Sequence, residues 1–170
     1  EALIRYLQRH AHTTPFEMAE VKFHAKMPIF VARQWVRHRT ASINEQSARY
    51  SILDDEFYIP HPDILAEQST TNRQGRELII PPRYAKQVRA MLLADSERQY
   101  QHYEYLLNDD GQGNPKDPKR PKLARELARI GLTLNFYTQW YWKIDLHNFM
   151  HFARLRLDEH AQYEMRVYAK

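Results

Sequence analysis

No cysteine occurs anywhere in the 170 residues. That absence excludes a disulfide framework, a cysteine-ligated metal site and any mechanism that needs a thiolate nucleophile. No apolar run reaches transmembrane length and no signal-peptide pattern is present, so no membrane partner is expected and the expected location is the cytoplasm. Internal repeats and long low-complexity stretches are missing too. The sequence opens at Glu1 rather than Met, and a truncation at the N-terminus is an expectation on that ground.

What is present points to one folded domain over residues 1–170, long enough to bury a core without disulfide or metal. Basic residues outnumber acidic ones by 25 to 21, a net charge of +4, which suits anionic partners such as nucleotides without demanding a nucleic-acid polymer. Eleven tyrosines and seven phenylalanines suit the binding of flat rings, although aromatic cores are the commoner reason for such a content.

Helical patterns dominate. Ala2–His10 carries Leu3, Ile4 and Leu7 at helical spacing, and Thr14-Pro15-Phe16-Glu17 reads as a helix start with Thr14 as N-cap. Further helices are predicted over Pro28–His38, Pro82–Leu107, Lys122–Leu132, His147–Leu157 and His160–Tyr168. Strand-like alternation occurs in Val21–Met27, in parts of Glu45–Ile52 and in Gln139–Asp145. Pro60–Arg76 and Asp109–Pro121 read as loop and linker. The fold class expected is α+β, a helix-rich single domain with a small central sheet.

A helical wheel over Pro28–Arg39 puts Ile29, Ala32, Trp35 and Val36 on one side and Arg33, Gln34 and Arg37 on the other. That polar side is either a solvated basic face or a phosphate site, since arginine offers paired donors matched to phosphate oxygens. The polar stretch from Thr40 to Ser51 follows directly, and so dense a set of hydrogen-bonding groups needs solvent or a polar ligand. In His147–Leu157, Arg156 falls within the apolar arc of Phe149, Phe152, Ala153 and Leu157 and therefore needs a carboxylate, a route along the apolar surface to water, or a polar ligand. Glu126 and Arg129 are spaced as a surface ion pair, beside a stripe of Leu123, Leu127 and Ile130.

Two alternatives remain open on residues alone. Asp145, His147, His151 and His160 could serve a metal-dependent hydrolase, although no glutamate sits between the two four-spaced histidines as in zinc proteases. Arg33, Arg37 and Arg39 with the many tyrosines could make a nucleic-acid-binding module.

Arg37-His38-Arg39 followed seven residues later by Ser47 resembles the signature of the flavin-dependent thymidylate synthases. Asn44–Ser51, His12–Glu17, Asn135–Trp140, Asp145–Arg156 and His160–Glu164 also resemble the family, in the right order, while Pro60–Pro121 matches loosely. The resemblance implies methylation of dUMP to dTMP, with methylenetetrahydrofolate as carbon donor and NADPH-reduced FAD as reductant. It implies a homotetramer with active sites between subunits, and no metal. By position, Gln34, Arg37, Glu45, Ser47, Arg49, Arg129 and Arg156 look like the dUMP residues. Thr14, Arg37, His38, Arg39, Glu45, Asp145, His147 and His151 look like the FAD residues. His12 resembles a histidine close to flavin and folate, and Arg156 the arginine that polarises the uracil, so these two are the catalytic candidates. Asp145, His147 and His151 stand where some members have Asn, Arg and Asn, and Thr133 where many have Pro. A cysteine-free chain fits this chemistry, because a flavin can supply reducing equivalents while the protein activates the ring electrostatically. Ser47 reads as a dUMP-binding hydroxyl, since no His-Asp pair is placed by sequence to activate it.

Overall fold

A computed structural model describes residues 1–170. In chain order the elements are α1 (Ala2–Arg9), α2 (Thr14–Glu17), β1 (Glu20–Pro28), α3 (Ile29–Trp35), β2 (Ser42–Glu45), β3 (Ala66–Gln68), β4 (Arg76–Ile79), α4 (Pro82–Leu107), α5 (Arg125–Ala128), β5 (Tyr137–Asp145), α6 (Leu146–Arg156) and α7 (Tyr163–Ala169). The fold is α+β and helix-rich, as the periodicities indicate. The chain forms two compact units, one of residues 1–26, 33–45 and 139–170, the other of residues 27–32 and 46–138.

The three-stranded sheet lies essentially in the first unit, in the order β1-β5-β2. β2 runs antiparallel to β5 with Ser42 opposite Lys143 and Glu45 opposite Trp140. β5 alternates along its length, so that Trp140, Trp142 and Ile144 are buried on one face. Trp35 meets these rings edge-on, 5.7 Å from Trp140 and 5.1 Å from Trp142, and stacks on Phe152 of α6 at 5.2 Å. Offset and edge-to-face pairs of this kind add about 0.5–1.5 kcal/mol each beyond area burial. All three tryptophans are therefore spent on the core, whereas Tyr103 alone of the eleven tyrosines is buried. α6 begins where Asp145 caps it, accepting from the Asn148 backbone N–H at 2.9 Å.

Helix α3 is shorter than Pro28–His38. After Trp35 the backbone tightens, Arg37 N–H donating to Gln34 O at 3.3 Å and His38 N–H to Trp35 O at 3.0 Å. These three-residue bonds end the helix. They turn His38 inward, while Val36 is left exposed rather than on the buried side with Ala32 and Trp35. At α2 the cap is Thr13 instead of Thr14, and no side-chain capping bond forms.

The second unit centres on the 26-residue α4, whose limits match the sequence reading. Tyr103 and Leu107 pack with Ala48, Leu53 and Ala128. Tyr103 Oη accepts from Leu53 N–H at 3.1 Å, and Tyr100 Oη donates to Leu53 O at 2.9 Å. Asn108 ends α4 in the left-handed region at φ 46°, and its side-chain amide donates to the carbonyls of Asp117 and Arg120. Asp109 then gathers Lys122 at 2.7 Å and Arg125 at 3.5 Å around a carboxylate that is 2% exposed. Lys122 and the Gly111 and Gly113 amides hold that carboxyl down to about 2.

Three expectations are corrected in this unit. Glu45–Ile52 is a strand only to Glu45, because Tyr50 and Ser51 N–H both bond Ser47 O and Arg49 N–H bonds Ser47 Oγ, which makes a turn. Pro60–Arg76 contains β3, which pairs with β4 in a hairpin whose turn is held by Gln68 bonding the carbonyls of Arg73 and Gly75. Lys122–Leu132 shortens to α5 and a 3₁₀ turn at Arg129–Gly131, since Leu123 N–H is drawn to Leu106 O at 2.9 Å. The stripe of Leu123, Leu127 and Ile130 is exposed, Ile130 to 74%.

Candidate active site

In the first unit, helix α6 and the turn after α3 bring Arg156 and His38 together. Arg156 Nε donates to His38 Nε2 at 2.9 Å, and Arg156 Nη2 lies 3.5 Å from the Gln34 carbonyl. Arginine only donates, so Nε2 of His38 accepts and its proton sits on Nδ1. Burial, then Arg156, then His151 hold the imidazole down to about 4, which agrees with that neutral tautomer. Both acceptors on Arg156 are neutral, and desolvation alone pushes its own pKa down. Of the partners expected for Arg156, no carboxylate fills the place.

The side chain of Gln34 donates to Gln162 Oε1, and Gln162 Nε2 donates to Glu164 at 2.9 Å. Gln162 and Glu164 were legible only as part of a family-like block; nothing in local pattern joins them to Gln34.

A second feature of this unit is a cavity of about 350 Å³ between α1, α2 and α6. It is lined by Gln8, Ala11, His12, Thr13, Phe16, His147, Met150, His151 and Arg154. The catalytic candidate His12 and the FAD candidates His147 and His151 thus line one cavity, and Thr13 rather than Thr14 faces it. His151 Nδ1 is 3.2 Å from an Arg154 nitrogen, and His38 meets His151 edge-on at 6.2 Å. Polar rings, an arginine and apolar Met150 and Phe16 fit part of a flavin dinucleotide: a flat ring system with hydrogen-bonding edges. Asp145 is instead occupied as the α6 cap, bonding both Asn148 nitrogens. Arg37 and Arg39 are exposed, their guanidinium groups without a hydrogen bond or ion pair in the chain, and Glu45 ends β2.

In the second unit Ser47 Oγ accepts from Arg49 N–H at 3.3 Å, with no histidine beside it. Arg49 lies 3.4 Å from Glu126, so Glu126 pairs there and not with Arg129, the partner its spacing suggested. The Arg129 guanidinium holds no partner within the chain. The metal-hydrolase alternative finds no support. His160 pairs with Asp158 at 2.9 Å, Asp145 caps a helix, and no three His, Asp or Glu side chains converge.

The sequence profile described as "Thymidylate synthase complementing protein" matches residues 1–170. The chain belongs to the thymidylate synthase complementing protein family. Among members similar to it, the flavin-dependent thymidylate synthase of Rickettsia bellii is 59% identical over 171 residues, covering 100% of this chain and 58% of that protein. The one from Gluconobacter oxydans is 62% identical over 168 residues, covering 99% and 52%. The chain thus spans between half and three-fifths of the length of these relatives. A crystal structure of the UMP/dUMP methylase PolB from Streptomyces cacaoi bound with 5-Br UMP superimposes with a TM-score of 0.84 at 31% identity, over 99% of this chain and 72% of that one. Family membership accounts for the Arg37–Ser47 signature, and no helix is long and apolar enough to cross a membrane.

Proposed function

We propose that the chain carries the catalytic region of a flavin-dependent thymidylate synthase. The reaction is methylation of dUMP to dTMP, with methylenetetrahydrofolate as carbon donor and NADPH as reductant, in the cytoplasm. FAD, when bound, supplies the reducing equivalents. The observation that carries this reading is Arg156, a desolvated guanidinium whose only partners are the neutral His38 ring and a main-chain carbonyl. A permanent cation so placed is matched to a group that gains negative charge, such as the uracil imide. There it lowers the N3 pKa and raises electron density at C5. His38, neutral and accepting at Nε2, holds the guanidinium without competing for that charge.

Gln34, Arg37, Glu45, Ser47, Arg49, Arg129 and Arg156 are the dUMP residues by family position. The free guanidinium of Arg129 and the half-exposed Arg49 take the phosphate. By family position the FAD residues are Thr14, Arg37, His38, Arg39, Glu45, Asp145, His147 and His151; of these His147 and His151 line the cavity, beside Thr13 rather than Thr14. His12, on the cavity wall, stands nearest flavin and folate. The assembly is a homotetramer with active sites between subunits, so the set need not close within one chain. Tyr84, Met91 and Tyr105 support it, for they leave apolar side chains exposed along one side of α4.

The test is chemical. Protein purified with its flavin should release FAD on denaturation and convert dUMP to dTMP when given NADPH and methylenetetrahydrofolate. A flavin-free protein that cannot be loaded with FAD and makes no dTMP overturns the proposal.

A further inference from the structure

We propose that Gln162 and Glu164 are positioning residues that fix the side-chain amide of Gln34 for dUMP; this rests on the reading above that Gln34 meets dUMP. All three lie in the first unit, Gln34 on α3, Gln162 just before α7 and Glu164 in its first turn. Glu164 is 6% exposed and Gln162 and Gln34 are half-buried, so water does not freely replace their bonds.

The polarity of the chain follows from what each group can do. A carboxylate only accepts, so Gln162 turns its NH₂ toward Glu164, where the bond is 2.9 Å. Gln162 Oε1 is thereby left facing Gln34, and it accepts from Gln34 Nε2. The Gln34 amide is pinned nitrogen-first, and its Oε1 is turned away with no partner in the chain. An amide alone can turn over at little cost, exchanging donor for acceptor. Tied through Gln162 to a carboxylate, it cannot turn without leaving two acceptor oxygens face to face. dUMP has two neutral donors, the imide N3–H and the 3′-hydroxyl, and a fixed Oε1 takes one of them while turning away phosphate oxygens. The Arg156 contact with the Gln34 carbonyl holds the same residue from its main chain.

A double-mutant cycle on the flavin-loaded holoenzyme tests this, with dUMP affinity measured by calorimetry. Gln162→Met keeps the length of the side chain and removes both hydrogen bonds. It should weaken dUMP about tenfold, the worth of one well-placed bond. If Gln162 acts through Gln34, then Gln34→Ala with Gln162→Met binds dUMP within about twofold of Gln34→Ala alone. Fully additive losses, or wild-type affinity in Gln162→Met, overturn the relay while leaving Gln34 as a dUMP residue. Wild-type affinity in Gln34→Ala removes Gln34 from the dUMP site, and the relay falls with it. Should Gln162→Met fail to fold, Glu164→Gln is carried through the same cycle. It keeps size and hydrogen bonding but lets Gln162 turn, and the same outcomes decide.

Discussion

Arg156 reaches from the last turn of α6 to hydrogen-bond Nε2 of His38 at 2.9 Å, joining two residues 118 positions apart in the chain. The arginine is the cation and the histidine is the neutral acceptor. That division makes Arg156 more useful to a ligand than to the fold, because a partly buried guanidinium without a carboxylate contributes little to stability.

Replacing Arg156 should therefore separate stability from chemistry. Arg156→Ala is expected to fold, retain flavin and melt close to wild type. Its dUMP affinity should fall by about 1.5–3 kcal/mol, the range for a charge-assisted bond, with dTMP formation nearly abolished. Arg156→Lys should not restore activity, since lysine lacks the planar fork. Thermal melts, flavin absorbance and dTMP assays on both variants check this. Near-normal turnover in Arg156→Ala would remove the residue from the mechanism.

His38 sets a pH dependence. Its folded pKa is depressed from 6.5 to about 4, so between those values the unfolded chain binds the extra proton and the folded chain does not. Stability from this group is complete above about 6.5 and drains away as pH falls toward about 4. Urea titrations across that window should show falling stability, and His38→Gln, which keeps an acceptor but cannot titrate, should flatten the fall. An unchanged slope in His38→Gln would assign the dependence to other groups.

The two arginines of the second unit should behave alike toward dUMP and differently toward the fold. Arg129→Ala and Arg49→Ala are each expected to cost about 1.5–3 kcal/mol of dUMP affinity and to change deoxyuridine binding little. Glu126→Ala breaks an ion pair whose side chains are 56% and 55% exposed, so stability should move by less than about 1 kcal/mol. Calorimetry with the nucleotide and the nucleoside measures the difference, and equal binding of both by wild type would end the phosphate assignment.

Assembly can be probed through α4. Met91 is 60% exposed on that helix, and Met91→Glu should split the proposed tetramer into smaller species in light scattering. Loss of flavin should accompany the split if FAD touches more than one subunit. A wild-type protein that is strictly monomeric yet holds FAD tightly contradicts the shared site.

The sequence alone determined the fold class, the limits of α4, the strand of β5 and the likeness to the flavin-dependent synthases. These rest on local information: apolar spacing at a helical or two-residue period, and a contiguous signature from Arg37 to Ser47. Where side chains bond backbone, local pattern misled. Ser47 closes a turn where alternation suggested a strand, and Gln68 holds a hairpin where polarity suggested a loop. Only the tertiary structure decided that Arg156 meets a neutral histidine, that Arg49 takes Glu126 from Arg129, and that Glu164 reaches Gln34 through Gln162. Each of these joins groups distant in the chain. A hydrogen bond depends on distance and angle in space, which periodicity along a sequence does not encode.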